Sequence, residues 1–136
     1  MTTRARYLAS YHASVGAITN VSQTFSTAQI GAVTSLTDAV NISTDLALSN
    51  NFSGTLGGNR TLDNPTNPAI SQSGSIFIIQ DGTGSQTLSY GTDWKFAEGT
   101  GPTLSTAGNA IDRLDYIVQT SAAIQSVITL DIKTIV

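Results

Sequence analysis

Short stretches of alternating apolar and polar residues, separated by glycine, proline and asparagine, fill most of the chain from Gly31 onward. Alternation with a period of two gives a strand one apolar and one polar face. On this basis, strands are predicted at residues 32–36, 40–48, 51–56, 75–80, 86–90, 94–97, 113–120 and 124–132. Because turn signals recur every eight to twelve residues or so, as in all-β domains, long helices are not expected in this region.

Two hairpins are predicted from this pattern. In residues 113–132, Leu114 shares one face with Tyr116 and Val118, and the four residues 120–123 form the turn. The most apolar run, residues 75–80, is followed by Asp81 and Gly82, a pair typical of a tight turn leading into residues 86–90. No internal repeat of about 20 to 50 residues is visible, which argues against a solenoid.

These patterns predict an all-β domain at residues 31–136, an antiparallel sandwich or a jelly-roll-like domain, preceded by an N-terminal arm at residues 1–30. The arm contains no proline and no acidic residue. Its apolar spacing fits a short helix, whereas Gly16 and several β-branched residues fit an extended segment, and both alternatives stay open. The expected core of the domain comprises Leu56, Ile76, Ile78, Trp94, Phe96, Leu114, Tyr116, Ile128 and Leu130.

The polar residues of the chain are mostly uncharged, since only 11% of all residues are charged and the formal net charge is −3. The six lysines and arginines are scattered, so no phosphate-binding face and no nucleic-acid partner are expected. Cysteine is absent, which excludes disulfides and thiolate zinc sites. No apolar run is long enough to cross a bilayer, so membrane insertion is not expected.

Few residues are suited to catalysis. The single histidine, His12, lies in the arm, a poor place to orient a general base. Asp112 and Asp115 are closely spaced in a predicted strand, but their odd spacing puts the carboxylates on opposite faces. Asp81 begins a segment similar to the start of a calcium loop, which lacks further acidic ligands and is interpreted as a turn. We therefore predict no catalytic residue, no cofactor and no metal site.

Two further clusters have competing interpretations. Residues 54–59 are glycine-rich, but they contain no lysine and do not lead into a helix, so a turn is favoured over a phosphate-binding loop. Tyr90, Trp94 and Phe96 form an aromatic cluster close to Gly99 and Gly101. These rings could stack on a sugar or a partner side chain, or they could belong to the core. Trp94 and Phe96 share one strand face, which favours packing beneath a sheet.

Seven blocks in residues 35–132 carry a resemblance to a known type of domain. They are SLTD at 35–38, NFSGTLGGNRTL at 51–62, NPTN at 64–67, GSIFIIQDGTGSQTL at 74–88, WKF at 94–96, PTLS at 102–105 and IDRLDY at 111–116. In order and spacing, this stretch resembles a recurrent domain of tailed-phage virion proteins that occurs in tail fibres, head fibres and small capsid-surface proteins. The resemblance implies a β-rich, usually non-enzymatic module, with no catalytic residues to carry over.

The resemblance leads to an expected function as a capsid decoration (cement) protein on the virion surface, with the major capsid protein as its partner. The alternative is the tip domain of a tail fibre or head fibre that binds the host surface. A small domain without disulfides gains stability by burying apolar area between copies, so a homotrimer is also expected. One stripe of the arm supplies the candidate capsid or inter-subunit contacts, which are Tyr7, Leu8, Tyr11, Val15 and Ile18.

Overall fold

The computed structural model describes residues 26–135. Nine strands follow one another in this part of the chain, with a single turn of 3-10 helix, Ala97–Gly99, after the seventh. The strands are β1 (Val33–Ser35), β2 (Asn41–Ile42), β3 (Asn51–Leu56), β4 (Arg60–Leu62), β5 (Ser73–Gln80), β6 (Leu88–Tyr90), β7 (Trp94–Lys95), β8 (Ile111–Thr120) and β9 (Ala123–Thr129). The predicted all-β class is therefore confirmed.

The strands form two sheets. The larger sheet has the order β1-β3-β5-β8-β9-β7, and the smaller one has the order β2-β4-β6. In the larger sheet β1, β3 and β5 are parallel neighbours, and in the smaller sheet β2, β4 and β6 are parallel neighbours. The chain thus passes from the larger sheet to the smaller one and back, and it builds three stacked coils, at residues 31–50, 51–72 and 73–90.

The parallel pairing of these coils differs from the predicted antiparallel sandwich or jelly roll, and the stack is of the solenoid kind against which the sequence argued. The coils have unequal lengths, which hides their repeat. Val33 pairs with Asn51, yet Asn51 pairs with Ser75, a longer step along the chain. In the smaller sheet the steps are also unequal, 20 residues from Asn41 to Thr61 and 28 residues from Arg60 to Leu88.

The hairpin predicted for residues 75–80 and 86–90 is wrong, because β5 and β6 lie in different sheets. The Oδ1 atom of Asp81 accepts the backbone N–H groups of Thr83 and Gly84 at 3.0 and 2.8 Å. The backbone then passes through Gly84 and Ser85 with φ angles of 75° and 63°. These residues form a wide corner that directs the chain into the smaller sheet instead of a tight turn.

The predicted C-terminal hairpin is confirmed. β8 and β9 are antiparallel, Thr120 pairs with Ala123 across the turn, and β8 also pairs antiparallel with β5. β7 runs parallel to β9 at the edge of the larger sheet. The β8–β9 hairpin, hereafter the cap, therefore covers the third coil in the larger sheet.

The core contains side chains from both sheets. Its buried members are Ile42, Leu46, Phe52, Leu56, Leu62, Ile76, Ile78, Trp94, Leu104, Leu114, Tyr116, Val118 and Ile124. Six of the nine predicted core residues are among them, and Phe96 and Ile128 are partly buried against the cluster. The prediction for Leu130 is wrong, since β9 ends at Thr129 and the Leu130 side chain is 48% exposed.

Polar side chains fasten neighbouring coils to each other. Between the first and second coils, Arg60 donates two 2.7 Å hydrogen bonds to the carboxylate of Asp38. Gln72 Nε2 donates to the backbone oxygen of Leu46 at 2.7 Å. Between the second and third coils, Asn59 Oδ1 accepts the backbone N–H of Thr87 at 3.0 Å. Neutral and ionic side chains at the corners thus continue the hydrogen bonding where the sheets end.

Candidate functional site

The five contact residues predicted in the arm, Tyr7, Leu8, Tyr11, Val15 and Ile18, lie outside the described residues. His12 also lies there. The role assigned to these positions, and the division of the chain into residues 1–30 and 31–136, therefore stay predictions.

Asp112 and Asp115 lie on opposite faces of β8, as their spacing predicted. Asp112 is 1% exposed, and its two carboxylate oxygens accept the backbone N–H groups of Ser105 and Asp131, both at 2.8 Å. On the outer face, Asp115 accepts a 2.6 Å hydrogen bond from the Ser75 hydroxyl and contacts the Arg113 guanidinium at 2.9 Å. Each carboxylate is thus engaged in holding segments of the fold together.

The two suspected ligand loops form structural corners. Asp81 directs its carboxylate to its own loop, as described above. A Cβ atom on Gly58 would lie 2.5 Å from Arg60 Nη1, so a glycine there leaves room for the pair between Arg60 and Asp38. The hydrogen bond from Arg60 lowers the pKa of Asp38 below its usual value. Within residues 26–135, no group of three or more His, Cys, Asp or Glu side chains is arranged to hold a metal ion.

The aromatic cluster is mostly part of the core. Trp94 is 4% exposed, and its indole N–H donates to the backbone oxygen of Asp63 at 2.8 Å. Tyr90 contacts Phe96 edge-to-face with 4.7 Å between ring centroids, and Trp94 contacts Tyr116 in the same way at 6.1 Å. Burial, and secondarily the charge of Asp112, raises the pKa of Tyr90.

A pocket of about 560 Å³ opens beside these rings, hereafter the aromatic pocket. It is lined by Leu88, Ser89, Tyr90, Gly91, Thr92, Trp94, Lys95, Phe96, Gly99 and Gly101. Gly101 lies directly against Tyr90, since a Cβ atom there would be 2.7 Å from a ring carbon. Lys95 Nζ donates to the Thr92 backbone oxygen at 2.6 Å. The pocket combines the half-buried Phe96 ring with hydroxyl and ammonium groups at its rim.

A second surface, which the sequence interpretation did not identify, lies on the outer face of the cap. Ile117 and Val127 point away from the core and are 50% and 63% exposed. A groove of about 450 Å³ beside them is lined in part by Lys95, Phe96 and Gln125. We refer to Ile117, Val127 and this groove as the hairpin face. The sequence contained a signal for this surface, because Ile117 and Val127 are apolar residues at positions where the alternation of their strands calls for a polar one.

The part of the chain that the structure describes thus offers two candidate binding surfaces, the aromatic pocket and the hairpin face. No helix in this part is both long and apolar enough to span a bilayer. Comparisons of the chain with protein-family models, with curated proteins and with solved structures found no match.

Proposed function

We propose that this chain is a structural protein of a bacteriophage virion, a decoration (cement) protein that binds the outer surface of the head. Two things support the proposal, the resemblance of residues 35–132 to virion surface domains and the exposed apolar hairpin face. The hairpin face is the main reason to propose a protein-binding role. Exposed apolar residues next to one another on a rigid sheet are typical of contact surfaces. The major capsid protein is the proposed partner.

The hairpin face is well suited to a repeated, shallow contact. β8 pairs with strands on both sides, so its outer residues are held on a rigid support. Burying the exposed parts of Ile117 and Val127 would contribute at most about 1.5 to 3 kcal/mol for each side chain. A contact of that size is weak for one copy, and polar groups around it, among them Gln125 and Lys95, would supply orientation.

The test uses the full-length chain and purified heads that lack it. We expect Ile117→Asp and Val127→Asp to weaken loading onto heads by at least about tenfold, because each buries a carboxylate in the contact. Thr87→Asp is the control, since Thr87 is exposed and directly precedes β6 in the smaller sheet, away from the cap. Equal loading of all three variants would refute the role of the hairpin face.

The arm stripe provides a second possible anchor, and it is tested separately. In the full-length chain, Tyr11→Asp and Val15→Asp alter the predicted stripe without changing the described domain. If these variants lose loading while the Ile117 and Val127 variants keep it, the arm is the anchor. The number of copies per purified virion tests the location, because hundreds of copies correspond to the head lattice and a few dozen at most correspond to fibres.

The alternative function is a tail-fibre or head-fibre tip that binds the host surface, and the aromatic pocket favours it. An aromatic ring beside hydroxyl groups is a common way to hold a sugar ring. Trp94 lines the pocket and is the only tryptophan in the chain, so its fluorescence reports on occupancy. Under the fibre proposal, oligosaccharides from the host surface change this fluorescence, and Phe96→Ala abolishes the change. No response to any of them would leave the decoration role favoured.

A further inference from the structure

In the part of the chain that the structure describes, the first coil leaves one end of the stack open. β1 is the edge strand of the larger sheet and β2 is the edge strand of the smaller one, and both belong to this coil. At the other end, the cap covers the third coil in the larger sheet. Among residues 26–135, no segment pairs with the outer edge of β1 or of β2.

The backbone at this end is directed outward. Leu36 donates its N–H inward to the oxygen of Ser53 at 2.8 Å, and the oxygen of Ile42 accepts the N–H of Asp63 at 3.0 Å. Alternate residues of a strand direct their backbone groups to opposite sides. The N–H and C=O groups of Val33 and Ser35 in the larger sheet, and of Asn41 in the smaller sheet, therefore point away from the stack.

Apolar side chains accompany these edges. Val33, Val40 and Leu48, all in the first coil, are 54%, 73% and 68% exposed. Between β1 and β2 lies a cavity of about 320 Å³, whose lining includes the otherwise buried Phe52. Strand edges with apolar neighbours are the surfaces through which β proteins pair with other strands.

We propose that two copies of this chain pair end to end through their first coils. An occupant that pairs with both open edges has to extend two separate sheets at once, which a single extended strand cannot do. The first coil of a second copy carries both strands at the right separation. A two-fold axis running from one sheet to the other pairs β1 with β1 of the second copy, and β2 with β2, both antiparallel.

The size of the surface agrees with this occupant. Of the 20 residues of the first coil, residues 31–50, 17 are at least partly exposed, which is close to the lower end of a standard interface of about 20 to 30 residues per partner. The pair is closed, because the two-fold operation leaves no free first coil on either copy. It differs from the homotrimer expected from the sequence, so the number of copies distinguishes the two.

The experiment measures the mass of the purified full-length chain by sedimentation over a concentration series, without heads. This makes the result independent of the proposed decoration role. We expect twice the 14.1 kDa chain mass for the wild type. Ser35→Pro removes an outward N–H and leaves the β1–β3 pairing intact, so we expect it to raise the dimer dissociation constant by at least about tenfold with unchanged circular dichroism.

Two further variants keep the test decisive. Val40→Lys places a charge from each copy near the shared edge, and we expect the same weakening from it if Ser35→Pro fails to fold. Thr87→Lys, at an exposed position of the third coil, is the control and should leave the dimer unchanged. A monomeric or trimeric wild type, or a dimer that both first-coil variants preserve, would overturn the proposal.

Discussion

The side-chain amide of Gln80 pairs with the backbone of Gln86 as a strand would. Its Nε2 donates to the Gln86 oxygen at 2.9 Å, and its Oε1 accepts the Gln86 N–H at 2.9 Å. Gln80 is the last residue of β5 and is 2% exposed, and Gln86 precedes β6 in the other sheet. One buried side chain therefore spans the corner between the two sheets of the third coil.

Gln80→Leu tests this corner. Leucine has a similar volume but no polar atoms, so both backbone groups of Gln86 lose their partner. We expect the free energy of unfolding to fall by about 2 to 3 kcal/mol, measured by urea denaturation. Gln119→Leu, at an exposed position of β8, should change it by less than about 0.5 kcal/mol. A Gln80→Leu variant as stable as that control would contradict the bridging role.

Two glycines form a matched pair for a second prediction. A Cβ atom on Gly74 would lie 1.7 Å from the backbone oxygen of Asn50, whereas one on Gly82 would meet nothing within 4 Å. We expect Gly74→Ala to cost more than about 4 kcal/mol, because β5 must move away from the first coil. Gly82→Ala should be neutral or stabilising by up to about 1 kcal/mol. Thermal denaturation of both variants checks the contrast, and equal melting temperatures would contradict it.

Asp112→Asn should destabilise the domain although the two side chains have the same shape. Asp112 accepts one backbone N–H on each oxygen, and asparagine replaces one of these oxygens with an N–H₂ group that faces a donor. The expected loss is about 2 to 4 kcal/mol in chemical denaturation. Asp93→Asn is the control, at a half-exposed position, and is expected to stay within about 0.5 kcal/mol of wild type.

Stability should also fall in alkaline solution. Burial raises the pKa of Tyr116 to about 12, above the usual value of about 10, and its hydroxyl donates to the Asn50 oxygen at 2.8 Å. A raised pKa in the folded state gives stability that is fully present below pH 10 and is lost as the pH rises through 12. Tyr116→Phe lowers stability at neutral pH by about 1 kcal/mol.

The contrast between wild type and Tyr116→Phe is the readout for this prediction. The stability difference between them should shrink between about pH 10 and pH 12, because the hydroxyl that distinguishes them ionises in the unfolded chain first. Denaturation curves at several pH values measure it. A difference that stays constant over this range would show that Tyr116 ionises equally in both states.

Local patterns predicted the strands better than their pairing. The bounds of β3 match the prediction, and the cap is confirmed, because alternation and a short turn between antiparallel neighbours are both local. The stacking of the coils was not predicted, because it depends on pairing between residues that are far apart in the chain. Arg60 binds Asp38 across one coil, and β4, which starts at Arg60, is too short to show alternation.

The candidate site was predictable only in part. The sequence identified the aromatic cluster and favoured a place for it in the core. Trp94 is buried, as this interpretation requires, whereas Phe96 is only partly buried and borders the open pocket. The hairpin face could not be predicted, because the exposure of a strand residue depends on which neighbouring segments cover it. Ile117 lies in the same strand as buried Val118, and only the sheet order places its side of the strand outside.

The order of the coils has a consequence for how the chain is made. Each coil stacks on the one before it, and synthesis releases the N-terminal coils first. The first two coils can therefore assemble while the ribosome is still adding the residues of β8 and β9. β5 is exposed along one edge until those residues emerge, since β8 is its second neighbour. In the interval between the release of β5 and the release of β8, nascent chains thus carry one more unpaired strand edge through which they can associate with one another.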